Sequence, residues 1–296
     1  MAVFFGTDGI RGKININLTH DLAFKCGNAL TFLKEKPVVA ICRDTRRSGV
    51  FLLSSFSAGL MCGGGNLVDC GIMPTPGLSF VTAKYNADFG VVISASHNTS
   101  EYNGIKIFDR SGCKLSEELE NRLEGFFSRI NIATDSGIGT IKQDKRATGF
   151  YIGFLVSAVK NGLKGLKIVL DCANGAAYAI APKAFRKTGC TVIAANCSKN
   201  GEINGGCGSL FPDQLRENVL RHKADMGFAF DGDADRILAC DENGNIIDGD
   251  RLVKMSVEYA VTSHGIEGFY FVPSWRLEFD DSSKNFSYSM VTGVKN

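Results

Sequence analysis

The sequence predicts an α/β protein built from tandem α/β units whose sheets are mixed and mostly parallel. Short Val/Ile-rich runs alternate with helix-length segments through the first half, the pattern of βαβ units. The same rhythm restarts after an irregular stretch near the middle of the chain. Strand-like runs end in turns of small or polar residues, as Val91-Val92-Ile93 ends in Ser94-Ala95-Ser96-His97-Asn98. That position, beyond the carboxyl ends of the strands, is where open α/β sheets bind ligands.

Taken in order, Gly6-Thr7-Asp8-Gly9-Ile10-Arg11-Gly12 reads as a glycine-rich loop able to wrap an oxyanion, with Thr7 and Arg11 as donors, although such turns also occur without function. Residues 38–42 read as a strand. Arg43-Asp44-Thr45-Arg46-Arg47 follows at its carboxyl end, either as a phosphate-binding group or as a solvated basic turn. Ser48 predicts the cap of a helix to about Cys62, which Gly63-Gly64-Gly65 ends. Another strand spans 67–70, and Pro74-Thr75-Pro76-Gly77 opens a helix through Lys84. After the serine turn, residues 115–127 read as an amphipathic surface helix with Glu117, Glu118, Glu120 and Glu124 on its polar side. Residues 131–148 show no periodicity and mark a domain boundary, giving units at 1–148 and 149–252 with 253–296 beyond.

The second unit has strands at 166–170 and 191–195, a helix ending near Lys187, and an irregular loop over 198–209. A helix at 212–222 and a strand at 226–230 follow. Residues 237–240 and 246–247 form a hairpin across Asp241-Glu242-Asn243-Gly244-Asn245.

Two stretches carry chemistry. Ser96, with His97 beside it and Asn103, Gly104 and Lys106 close behind, suits covalent catalysis; an ordinary polar turn has the same composition. Asp231-Gly232-Asp233-Ala234-Asp235-Arg236 follows a strand. On an extended backbone its three carboxylates would share one face, where mutual repulsion calls for a proton or a cation. Hard oxygens on a glycine-bearing loop suit Mg²⁺. A Ca²⁺ loop of the EF-hand type fits less well: Glu242 stands twelfth from Asp231, but Arg236 occupies the sixth position, where glycine is expected, and a strand continues through it.

The 296 residues are 44% hydrophobic and 22% charged with a net charge of +2, a globular composition with no bulk electrostatic pull toward nucleic acid or membrane. No apolar run reaches membrane-spanning length, and the N-terminus lacks the basic region of a signal peptide. Ten scattered cysteines without a Cys-x-x-Cys pair read as reduced core residues of a cytoplasmic protein.

FGTDGIRG, RDTRRSG, PTPG, SASHN with NGIK, LDCANGAA and FDGDADR occur in this order. Together they resemble the phosphohexose mutase family, nearest its bacterial glucosamine-phosphate branch. The resemblance implies four domains around one cleft and a reversible phosphoryl transfer between glucosamine 6-phosphate and glucosamine 1-phosphate, feeding UDP-N-acetylglucosamine synthesis. It implies that Ser96 carries the phosphoryl group through a bisphosphate intermediate. Asp231, Asp233, Asp235 and the Ser96 phosphate would hold one Mg²⁺. Arg236 would stand beside the metal, Thr7, Arg11 and His97 would surround the transferred phosphate, and Lys106 would transfer protons. Priming of Ser96 by a hexose 1,6-bisphosphate or another phosphoryl donor is also implied.

The sequence departs from the family pattern at Thr99, where proline is usual, which should loosen the serine loop, and at Gly206, where asparagine is usual. Past about Tyr259 the similarity fades. The third domain is expected to be only partial and the fourth absent, so the loops that recognise the sugar and its second phosphate are missing. That would impair turnover and leave the aromatics Phe269, Phe271, Trp275, Phe279, Phe286 and Tyr288 without a complete domain to pack into. Glucose or mannose phosphates as substrates, and a non-catalytic Mg²⁺-binding remnant, are the competing readings.

Overall fold

The computed structural model describes residues 4–6, 8–134, 137–252, 254–255, 270–272 and 276–278. The elements of the first sheet and its helices are β1 (Phe5–Gly6), β2 (Gly9–Lys13), α1 (His20–Leu33), β3 (Val38–Arg43), α2 (Ser48–Cys62), β4 (Asn66–Ile72), α3 (Thr75–Lys84), β5 (Phe89–Ile93), β6 (Tyr102–Phe108), α4 (Glu117–Gly125), β7 (Ile141–Gln143) and α5 (Ala147–Ser157). Those of the second are β8 (Lys167–Asp171), α6 (Ile180–Lys187), β9 (Thr191–Ala195), α7 (Pro212–His222), β10 (Met226–Phe230), β11 (Ile237–Asp241) and β12 (Ile246–Ile247). A separate hairpin pairs β13 (Tyr270–Val272) with β14 (Arg276–Glu278).

The first sheet runs β1-β2-β6-β5-β3-β4-β7 and the second β12-β11-β10-β8-β9. Both are mixed. In the first, β5, β3, β4 and β7 are parallel, and β6, β2 and β1 close one edge antiparallel. In the second, β10, β8 and β9 are parallel and the β11–β12 hairpin forms the edge. All five residues of β5 are buried, as a continuous Val/Ile run between two helical layers requires. One face of the first sheet packs on α1, α2 and α4, with Leu30, Phe56, Leu60 and Leu123 at the centre. The other packs on α3 and α5, and Ile180 and Ala184 of α6 join that core from the second unit. The units therefore share apolar packing as well as polar contacts.

Several expectations shift. The glycine-rich N-terminal stretch is a hairpin: β2 pairs along β6 and fixes Arg11 opposite Gly104. Ser48 begins α2 but does not cap it; its hydroxyl instead accepts from Asn103. The stretch 131–148 contains β7, an exposed edge strand whose pairing with β4 no hydrophobic pattern signals. In α4, Glu120 is buried against Lys114 rather than solvated. Glu124 accepts from the backbone N–H groups of Phe4 and Phe5, tying down β1. The glycine at 206 has φ +64°, a conformation that asparagine also tolerates, so this departure costs the turn little. The ten cysteines are free thiols. No helix among the described residues is long and apolar enough to cross a membrane. Of the aromatic-rich stretch over 269–288, the side chains lie outside the described residues.

Candidate active site

The site forms where the carboxyl ends of β5 and β10 face each other. β5 stops at Ile93, and the chain turns through Ser94 to Ser96, whose φ is +51°. A left-handed serine is strained by about 1–3 kcal/mol and persists only where its surroundings hold it. Here they do. The Ser96 N–H donates to Ser94 Oγ at 2.9 Å, and Ser94 Oγ donates to Asp44 Oδ2 at 2.6 Å. Asp44 also accepts from the Arg46 N–H at 2.8 Å and from Arg46 Nε at 2.9 Å. The remaining guanidinium N–H groups of Arg46 donate to the carbonyls of Ser96, Asn98, Thr99 and Tyr102. All five donors of the planar fork are thereby used. From the second unit, Asn204 Nδ2 donates to Ser96 O at 2.8 Å and Asn98 O at 3.0 Å.

Arg46 is thus neither a solvated residue nor a phosphate ligand, the two readings its sequence motif allowed. It is a buried clamp that shapes the serine loop and grips Thr99 by its carbonyl, which offsets the freedom gained by the absence of proline there. Asp44, Ser94, Thr75, Asp8 and Asn204 were also not singled out. The Asp-x-Arg spacing was the available signal for the clamp; Asn204, in an irregular loop, had none.

The three aspartates stand opposite. The backbone does not stay extended: Ala234 takes φ +53° and its N–H bonds Asp231 O, closing a turn. The turn still gathers one oxygen from each of Asp231, Asp233 and Asp235 within 4.8 Å of one another, all three residues buried. At Gly232 the chain passes so close to the serine loop that a Cβ would lie 2.5 Å from Ser96 O. Only glycine permits that approach.

Ser96 Oγ donates to Asp231 Oδ2 at 2.5 Å. Arg236 grips the same aspartate through its backbone N–H, Nε and Nη2 and reaches Ser96 Oγ at 3.4 Å. Thr75 donates to Asp233 Oδ2 at 2.6 Å. Lys106 Nζ lies 2.9 Å from Asp233, 3.1 Å from Asp235 and 3.1 Å from Asp8. Asp8 in turn pairs with Arg11. His97 is half-buried, with Nδ1 unpaired. Of the residues expected at the site, Ser96, Lys106, Asp231, Asp233, Asp235 and Arg236 share one hydrogen-bonded network. Arg11 joins it through Asp8, and His97 feels its charges. Thr7 lies outside the described residues.

Charge is crowded here. Burial, then the Asp233 and Asp231 carboxylates, pushes Asp235 up to about 8. Burial and then Asp233 also raise Asp231, against the pull of Ser96 and Arg236. Burial opposes ionisation of Asp233, but Lys106 and Thr75 outweigh it and hold this carboxyl below the usual range. Burial disfavours the Lys106 ammonium, yet Asp233, Asp235 and Asp8 outweigh it and keep the lysine charged. Burial, then Arg236 and Arg11, lowers His97 and favours the neutral ring.

Residues 2–133 match the description "Phosphoglucomutase/phosphomannomutase, alpha/beta/alpha domain I", and residues 150–244 match domain II of the same family. The chain belongs to the phosphoglucomutase/phosphomannomutase family. Among curated relatives, it is 45% identical over 265 residues to a phosphoglucosamine mutase of Clostridioides difficile, covering 86% of this chain and 59% of that protein. It is 47% identical over 261 residues to one from Caldanaerobacter subterraneus subsp. tengcongensis, covering 86% and 58%. The crystal structure of a Phosphoglucomutase/phosphomannomutase family protein from Burkholderia thailandensis superposes with a TM-score of 0.77 at 27% identity, covering 91% of this chain and 60% of the other. The chain spans about three fifths of the length of these relatives.

The donor set fits the divalent cation implied by the family. Asp233 Oδ1 and Asp235 Oδ1 are buried without a hydrogen-bond partner. Such orphaned carboxyl oxygens, converging with a third carboxyl group, form a hard-oxygen site of the kind Mg²⁺ takes.

Proposed function

We propose that the chain carries the phosphoryl-transfer centre of a phosphosugar mutase acting between glucosamine 6-phosphate and glucosamine 1-phosphate. Ser96 is the phosphoryl carrier on a first domain over 1–148, and a second domain over 149–252 supplies the metal loop. The observation that carries this reading is the 2.5 Å contact between Ser96 Oγ and Asp231 Oδ2, inside a carboxylate triad.

In this reading Asp231, Asp233, Asp235 and a phosphate oxygen on Ser96 hold one Mg²⁺. When bound, the ion neutralises phosphate oxygens and stabilises charge on the transferred group. A sugar hydroxyl oxygen bonds to phosphorus as the Ser96 Oγ–P bond breaks. The hydroxyl's proton passes through the carboxylate–lysine network to Ser96 Oγ, leaving the serine alcohol and a sugar bisphosphate. Turned end for end, the bisphosphate returns its other phosphoryl group to Ser96 by the reverse step. Lys106 and His97 are the proton-handling groups. Arg11, Arg236 and Thr7 hold phosphate oxygens, and much of the acceleration comes from this positioning. A hexose 1,6-bisphosphate, or another phosphoryl donor, primes Ser96.

Incubation with glucose 1,6-bisphosphate and Mg²⁺, followed by intact-mass measurement, tests this. One added phosphoryl group is expected, absent in Ser96→Ala. An unchanged mass in the natural chain, or equal uptake by the variant, would overturn the assignment.

A further inference from the structure

With Arg46 fully engaged in the serine loop, Arg43 and Arg47 of the same segment remain without a role. Both line a cavity of about 630 Å³ between the two units, and Lys199 faces them from the second unit. A neighbouring cavity of about 550 Å³ shares Arg43 and Lys199 and adds Lys145 and Lys183. The two adjoin through Arg43 and Lys199 and form one cleft lined by residues of both units.

Its charge is only partly compensated: besides Arg46, five cations line the two cavities against three carboxylates, Glu202, Asp69 and Asp144. Arg43, Arg47, Lys145, Lys183 and Lys199 form no ion pair with an acidic residue among the described residues. Of these carboxylates, Asp144 is held by Arg146 and Tyr85 and one oxygen of Asp69 by the Gly71 N–H, while Glu202 forms no ion pair with the five cations. Arg43 Nε is buried without a partner, and the guanidinium makes a single 3.4 Å bond to Asp44 O. A buried N–H of this kind calls for an acceptor that the protein does not supply. The start of α2 adds to the field. No side chain caps it, Val50 of its first turn lines the cavity, and the free N–H groups of a helix start attract anions.

We propose that this cleft is a second anion site, which takes a ligand bearing more than one phosphate group and bridges the two units. Guanidinium forks at Arg43 and Arg47 on one side and the Lys199 ammonium on the other suit phosphate oxygens. The assignment does not rest on the mutase reading, because none of these five cations belongs to the serine–aspartate network.

Titration calorimetry with inorganic pyrophosphate, in the absence of divalent ions, tests it. Pyrophosphate should bind the natural chain, and more weakly as salt is raised. The double substitution Arg47→Ala/Lys199→Ala, at two exposed positions, should weaken binding about tenfold. Lys199→Arg should retain it, which separates lost charge from a local folding defect. Arg11→Ala, at the serine site, should leave it intact. No binding at millimolar probe, equal affinity in the double variant, or loss in Arg11→Ala instead would overturn the proposal.

Discussion

Ser96 Oγ and Asp231 Oδ2 meet at 2.5 Å although 135 residues separate them in sequence. One residue lies just beyond the end of β5 in the first sheet and the other just beyond the end of β10 in the second. The contact is fixed from behind by Asn204, which binds the serine loop's carbonyls, and from the side by Thr75, which binds Asp233 through both hydroxyl and backbone N–H. The Ser96 hydroxyl and the acids are therefore held together by packing between the units.

Without a metal the triad is electrostatically frustrated, and one carboxyl relieves it by holding a proton. Burial and its neighbours push Asp235 up to about 8, so Asp235→Asn replaces a largely protonated group with a neutral one of the same shape. In metal-free buffer the variant should melt at the same temperature as the natural chain or above it. With Mg²⁺ at about 100 times its Kd, the natural chain should gain ~2.7 kcal/mol. The variant should gain far less, its affinity being weaker by on the order of tenfold or more. Thermal melts with and without Mg²⁺ read both signs, and an equal Mg²⁺ gain in the two proteins would refute the assignment of Asp235 as a ligand.

Arg46 should matter more for stability than its place in a basic turn suggests. Its ion pair with Asp44 is fully buried on both sides, and removing one partner of such a pair costs about 3–5 kcal/mol. Arg46→Lys should rescue little, because an ammonium cannot serve Asp44 and four loop carbonyls together. Urea denaturation should show the loss in Arg46→Ala and most of it in Arg46→Lys, and phosphate uptake at Ser96 should slow in parallel as the loop relaxes. Near-natural stability in Arg46→Lys would count against the clamp.

Gly232→Ala tests the approach of the two units. The new methyl would lie 2.5 Å from Ser96 O and 2.9 Å from Asn204 Nδ2. A backbone carbonyl held by Arg46 and Asn204 has little room to move. Overpacking of this kind costs about 1–3 kcal/mol. The expected result is a lower urea midpoint together with slower phosphate uptake, since any shift that relieves the clash moves Ser96 from Asp231. If the midpoint falls but uptake does not, the close approach serves stability alone.

The parallel strands and the helix between them were legible in the second unit because their signal is local. Residues 191–195, 212–222 and 226–230 stand where the pattern of Val/Ile runs, Pro212 and the following turn put them. The Asp triplet was legible as a cluster from its spacing, although a turn at Ala234 rather than an extended backbone brings the three carboxylates together. What escaped depended on long-range pairing. β7 is exposed and short, and only its pairing with β4 makes it a strand. β2 hides in a glycine-rich stretch because its partner, β6, lies about ninety residues away. The clamp was half visible. Asp44-Thr45-Arg46 could be seen, but that the guanidinium turns inward to four carbonyls follows from the serine loop folding over it, which no local pattern encodes.

The chain repeats the Asp-x-Arg turn in a wetter setting, and this gives a pH prediction. Asp144 accepts from the Arg146 N–H at 2.9 Å, Nε at 3.0 Å and Nη2 at 2.8 Å, and from Tyr85 Oη at 3.1 Å. The Arg146 hydrogen bonds hold the Asp144 carboxyl well below the usual range. A carboxyl depressed in the folded state favours folding wherever the unfolded chain would ionise, above pH ~4. That contribution fades as pH falls from there through the lower folded value. At pH 7, Asp144→Asn should cost about 1 kcal/mol, modest because the guanidinium is 70% exposed and screened by solvent. Below about pH 4 the gap between variant and natural chain should shrink, as the natural carboxyl also becomes neutral. Urea midpoints for both proteins across this range measure it. A gap that widened toward acid would mean that Asp144 is not held ionised by Arg146.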